Sequence, residues 1–76
     1  MDNVLRVGDV VTWRGAWGSE EAKDAKVIGI IECYAPGEKD GIEIDSVDWE
    51  SVDGRDYIID LDNGHWSWSF QVSKKD

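Results

Sequence analysis

The sequence predicts an all-β chain folded as a single small, strongly bent barrel of five strands. Three observations predict it. Residues 57–72 alternate about Asn63-Gly64, the strongest short-range hairpin signal. Further β-rich runs occupy residues 10–14, 25–34 and 42–45, and no segment shows a convincing amphipathic helical period. Finally, five short strands in 76 residues are too few for an ordinary two-sheet sandwich, whereas a bent barrel removes most exposed edges.

The elements follow in order. Val7-Gly8-Asp9 is a turn that leads into a first strand over residues 10–14, stopped by Gly15. Residues 16–24 form a polar loop with one outlier, Trp17, between Ala16 and Gly18. Residues 25–34 are the longest apolar run and a second strand, expected to bend at Gly29, where no side chain resists curvature. Residues 35–41 are a loop, and Ile42-Glu43-Ile44-Asp45 alternates as a third strand. Val47 and Trp49 keep the apolar period only if the chain slips by one residue at Ser46. A three-residue loop near Asp53-Gly54 would then set Trp49 against Ile59 on the core face, although a short helical turn within residues 46–52 remains open.

The last hairpin is the most explicit. With a two-residue loop, Leu61 faces Trp66, Ile59 faces Trp68 and Tyr57 faces Phe70. Side chains alternate with a period of two, so Tyr57, Ile59, Leu61, Trp66, Trp68 and Phe70 are expected in the core. Ile58, Asp60, Asp62, His65, Ser67 and Ser69 then form the wet face. The expected domain is residues 1–76, with 1–6 and 73–76 as frayed ends.

A chain of this length buries only about 60% of the surface its unfolded form exposes. Five Trp, two Tyr and one Phe offset the small core, since each aromatic buries roughly 150–250 Å². Cys33 is the only cysteine, so no internal disulfide can form and a reducing, cytoplasmic setting is expected. No apolar run approaches the ~18 residues of a membrane span.

The formal charge is −9, and eight acids fall between Glu43 and Asp62 with Arg55 as the only base among them. Such a field repels nucleic-acid phosphates and favours a partner with a basic surface. Asp60-x-Asp62-Asn63-Gly64 invites comparison with a calcium loop. The comparison fails because positions 5, 6 and 12 would be Gly64, His65 and Gln71. His65 is the only histidine and is expected to pair with Asp62 across the turn, not to bind a metal. No nucleophile, base and orienting group share a pattern, so no enzyme and no cofactor are expected.

Two motifs carry a resemblance. Val7-Gly8-Asp9-Val10-Val11-Thr12-Trp13, followed by a long loop, resembles the first strand of SH3-like barrels, including the KOW and Tudor-type groups. Asp60-Leu61-Asp62-Asn63-Gly64-His65-Trp66, with Gln71 soon after, is similar to small bacterial and phage proteins of no assigned activity. Together these motifs span about a third of the chain, and the basic loops of KOW domains are missing. The resemblance implies a five-stranded SH3-like barrel acting as a non-enzymatic module that binds another protein. Its expected contact residues are Trp17, Trp13, Tyr34, Asp45, Asp60, Asp62 and His65. Trp17 either rims a partner pocket or folds back as a lid on the barrel. The alternative is an acidic mimic of nucleic acid that blocks a basic site on its partner, with Asp45, Asp60 and Asp62 spaced like phosphates; a metal-binding or hydrolytic protein is the remote alternative.

Overall fold

The structure, a computed structural model, describes residues 3–15, 21–52 and 54–75. Eight strands form among them: β1 (Val4–Arg6), β2 (Val10–Trp13), β3 (Lys23–Cys33), β4 (Gly41–Ile44), β5 (Ser46–Asp48), β6 (Tyr57–Leu61), β7 (Trp66–Trp68) and β8 (Val72–Lys74). Two 3-10 turns, Trp49–Ser51 and Ser69–Gln71, interrupt the strands. The all-β expectation stands, but five strands become eight. The main sheet runs β7-β6-β3-β2-β8, with β4 also on β3, and β1 pairs with β5 in a second, two-stranded sheet. Among the described residues no pairing joins β7 to β8, so this ladder is open.

Three local causes raise the strand count. Leu5 is fully buried against the core and its partner in register is Val47, so residues 4–6 form a strand and do not fray. The chain bends at Asp45, which splits the 42–48 segment and lets both Ile44 and Val47 turn inward. Val72 is buried opposite Trp13, which holds residues 72–74 as β8, again in place of a frayed end.

β3 bends as its glycine predicted. The β3–β6 register shifts between Val27 and Gly29, so Ile28 is an extra residue, and it is 58% exposed. A β-carbon at Gly29 would lie 3.1 Å from Asp60 Oδ2, so the missing side chain also makes room for that carboxylate. The Val7-Gly8 turn is tied on both sides: the Arg6 N–H donates to Asp9 Oδ2 at 2.9 Å, and Gly8 takes φ +102°.

Trp49 does not face Ile59 across a hairpin. The strand before it, β5, pairs with β1, and Trp49 opens a 3-10 turn, its own N–H donating to the Asn3 carbonyl at 2.9 Å. It still packs on the core, half-buried, beside Ile44, Val52 and Tyr57. The core proper is Leu5, Val11, Trp13, Ala25, Val27, Ile30, Val47, Ile59, Leu61 and Val72.

The last hairpin differs most from expectation. Its pairs are Ile58 with Trp68, Ile59 with Ser67 and Asp60 with Trp66, one residue away from the two-residue-loop register. Leu61 N–H donates to the His65 carbonyl at 2.9 Å, so the loop is Asp62-Asn63-Gly64. Gly64 has φ +86°, and among the described residues no non-glycine residue has positive φ. A type I′ turn requires positive φ at both central residues, and Asn63 does not supply it. A three-residue loop closed by a left-handed glycine results. The slip inverts β7: Ser67 and Ser69 are fully buried, while Trp66 and Phe70 are exposed and Trp68 is half-buried. Ile59 and Leu61 are core residues as expected, and Tyr57 is half-buried against them.

Candidate functional site

The predicted contact residues do not converge. Trp13 is a core residue, buried to 6%. His65 is exposed, and its ring stacks on Trp13 with centroids 5.0 Å apart and planes tilted by 30°. It makes no ion pair with Asp62 among the described residues; the Asp62 carboxylate instead accepts the Lys26 N–H at 3.1 Å. The longer loop is the reason: it removes the direct opposition of residues 62 and 65. Asp45 is exposed at the bend between β4 and β5, where its carbonyl accepts the Val7 N–H at 3.0 Å. Asp60 lies half-buried on the outer face of β6. Asp45, Asp60 and Asp62 therefore form no common array along one strand. Tyr34 projects from the turn after β3 with 69% of its surface exposed. Trp17 lies outside the described residues.

Register assembles a different surface. On β6, Ile59 and Leu61 face the core, so Ile58 and Asp60 face out. Their cross-strand partners place Glu43, Ile31, Ile58 and Trp68 in one row across β4, β3, β6 and β7. Gly29, Asp60 and Trp66 form the next row. Ile58 is buried to 6% yet belongs to no part of the main core. It is the floor of a second, small apolar cluster between Ile31 and Trp68.

The two tryptophans meet edge to face, with centroids 5.4 Å apart and planes at 87°. That is the arrangement the ring quadrupoles favour. Lys39, from the β3–β4 turn, sets its ammonium 4.8 Å from the Trp66 ring centroid. Trp66 remains 42% exposed and Phe70, the second residue after Trp68, 48% exposed.

Side-chain hydrogen bonds fix this hairpin from its far end. The Trp68 N–H donates to Gln71 Oε1 at 2.7 Å, and the Ser69 hydroxyl donates to the Gly54 carbonyl at 3.0 Å. The edge of β7 is thereby blunted: the strand is three residues long and one of its outward N–H groups is satisfied internally.

Two titratable groups beside Tyr34 are displaced from their ordinary values. The Cys33 thiol is pushed up by burial, then by the charges of Asp56 and Glu38. The Tyr57 phenol is pushed up by burial, then by the charge of Glu32, whose carboxylate accepts its O–H at 3.5 Å, and by Asp56 and Asp48. No group of three or more His, Cys, Asp or Glu side chains among the described residues is placed to hold a metal ion. Among the same residues no helix is long and apolar enough to cross a membrane.

Sequence reasoning missed Trp66, Trp68 and Phe70 as surface residues because it placed them inward. The signal that could have found them was Ser67 with Ser69: two small residues at alternate positions fit a crowded interior as readily as a wet face. Comparison of the chain with family models, with curated proteins and with solved structures finds no match.

Proposed function

We propose that this chain is a non-enzymatic protein-binding module that docks its partner on the outer face of the β6–β7 hairpin. One observation carries the reading: the hairpin register turns Trp66 and Trp68 out of the core, over a floor of Ile31 and Ile58. Tryptophan in a supported apolar setting is a frequent centre of binding energy at interfaces. Glu43 and Asp60 share this face, and the chain carries −9, so the partner fits best with an apolar anchor inside a basic rim. The strand order β8-β2-β3-β6-β7, with a 3-10 turn between β7 and β8, supports an SH3-like arrangement for the five-strand ladder. A bacterial or phage source and a reducing, cytoplasmic setting accord with the second motif and with Cys33 as the only cysteine.

The contact surface of this reading moves from the acidic run and Trp17, the latter outside the described residues, to Trp66 and Trp68. Nucleic-acid mimicry draws no support from Asp45, Asp60 and Asp62, which lie on three different segments: the bend after β4, strand β6 and the loop that follows it.

The test is capture of a partner from the native host, followed by titration of the purified pair. Trp66→Ala is expected to weaken binding by tenfold or more, about 1.4 kcal/mol or above. A 42% exposed side chain should leave the melting temperature within a few degrees. A partner whose binding ignores Trp66→Ala and fails instead with Asp60→Asn and Asp62→Asn would replace this reading with the mimic.

A further inference from the structure

A cleft of about 480 Å³ opens beside the turn that follows β3, lined among others by Glu32, Cys33, Tyr34, Glu50, Asp56 and Tyr57. We propose that it is a binding site for an extended organic cation, an ammonium or guanidinium group carried on an alkyl chain. Its volume is within the roughly 300–1,000 Å³ range of small-ligand sites. Among the described residues, three carboxylates line it and no basic residue does.

Two tyrosines complete the lining. Tyr34 is 69% exposed, so most of its surface is open to a ligand. Tyr57 is half-buried and anchored by its hydroxyl to Glu32 at 3.5 Å. An aromatic face attracts a cation through its quadrupole, and an alkyl stem packs on the same ring. The fold makes such a contact elsewhere, where the Lys39 ammonium lies 4.8 Å from the Trp66 ring centroid.

The local field has the sign this ligand needs. Carboxylates at Glu32, Asp48 and Asp56 act on the Tyr57 phenol, and Asp56 and Glu38 act on Cys33, all favouring the protonated forms. A compact metal ion is the poorer occupant, because the described carboxylates are not gathered into a metal-holding group. A long cation can meet them one at a time.

The same chemistry has two sources: a lysine or arginine side chain of a partner protein, or a free polyamine. The cleft shares no lining residue with the Trp66–Trp68 face, so its failure and that of the docking reading are separable.

The test is a ¹H–¹⁵N NMR titration of the full chain at 50 and 300 mM NaCl. The probes are acetyl-Gly-Lys-Gly-amide, acetyl-Gly-Arg-Gly-amide and spermidine, with acetyl-Gly-norleucine-Gly-amide as the uncharged control. Saturable shifts centred on Cys33, Tyr34, Ser51 and Tyr57 are expected, weaker at the higher salt. Tyr34→Ala and Asp56→Asn should each weaken binding about threefold, while Glu21→Gln, an exposed acid outside both the cleft and the β6–β7 face, leaves it unchanged. Tighter peptide than spermidine binding assigns the site to a partner side chain, and the reverse assigns it to a polyamine. Equal shifts from the norleucine peptide would overturn the proposal. So would unsaturable shifts spread over all carboxylates, or affinity indifferent to both variants in a folded chain.

Discussion

Ser67 is fully buried on the core face of β7, opposite Ile59, and its hydroxyl has no partner among the described residues. A buried hydroxyl without a hydrogen bond costs about 1–3 kcal/mol, so Ser67→Ala should stabilise the fold. The expected gain is about 1 kcal/mol, read as a rise of roughly 4–8 °C in the melting temperature of a domain this small. A fall of similar size would show that the hydroxyl is satisfied. Cys33 and Tyr57 make a second residue-scale prediction. Both are protonated more firmly in the folded chain than their ordinary values of 9.0 and 10.0. Below pH 9 both groups are protonated in the folded and unfolded states alike, and their contribution is fully present. As pH rises past those values the unfolded chain loses protons first, so stability falls with increasing pH. Urea midpoints between pH 8 and 11 should show this loss. Cys33→Ser should remove the part that begins near 9, and Tyr57→Phe the part above 10.

The hairpin is where local sequence and tertiary context part. Asn63-Gly64 announces a hairpin, and its two arms, its reversal and the inward Ile59 and Leu61 were all legible. The loop length was not. It depends on two contacts: Asn63 Oδ1 accepting the His65 N–H at 3.0 Å, and Asp62 Oδ1 accepting the N–H of Lys26, 36 residues earlier. The second comes from β3, which no reading of residues 57–72 contains. Gly29 shows the opposite case, since a bend there needs only the absence of a side chain in a long apolar strand. Residues 4–6 and 73–74 were taken for frayed ends because three-residue strands carry too little pattern to be seen without their partners on β5 and β2. Two glycine variants test these elements. Gly64→Ala forces a β-carbon into φ +86° and should cost about 1–2 kcal/mol. Gly41→Ala should cost more, because its β-carbon would meet the backbone carbonyl of Glu32. Chemical denaturation of both variants measures the order, and a smaller loss for Gly41→Ala would contradict the close approach of β4 to β3.

Across the whole molecule, a one-residue register decides what the protein presents. With the two-residue loop, Trp66, Trp68 and Phe70 would enlarge the core and leave an outer face of serines and acids. With the three-residue loop, the core closes around smaller side chains, and the aromatics stand over Ile31 and Ile58. The candidate site was therefore less legible than the fold: its residues were visible, but the face they occupy was set by a contact from β3. The acidic run divides in the same way. Its charge was plain in the sequence, while the grouping of Glu50 and Asp56 with Glu32 and two tyrosines needed the fold to bring β3 and β6 together. The register itself is open to a direct measurement. Leu61 and His65 share a hydrogen bond, so alternation makes Ile58·Trp68 and Asp60·Trp66 non-hydrogen-bonded pairs, whose α-hydrogens lie close together. Nuclear Overhauser spectra should show Hα–Hα cross-peaks for Ile58 with Trp68 and for Asp60 with Trp66. Cross-strand peaks pairing Ile59 with Trp68 and Leu61 with Trp66 would return the tryptophans to the core and contradict the account.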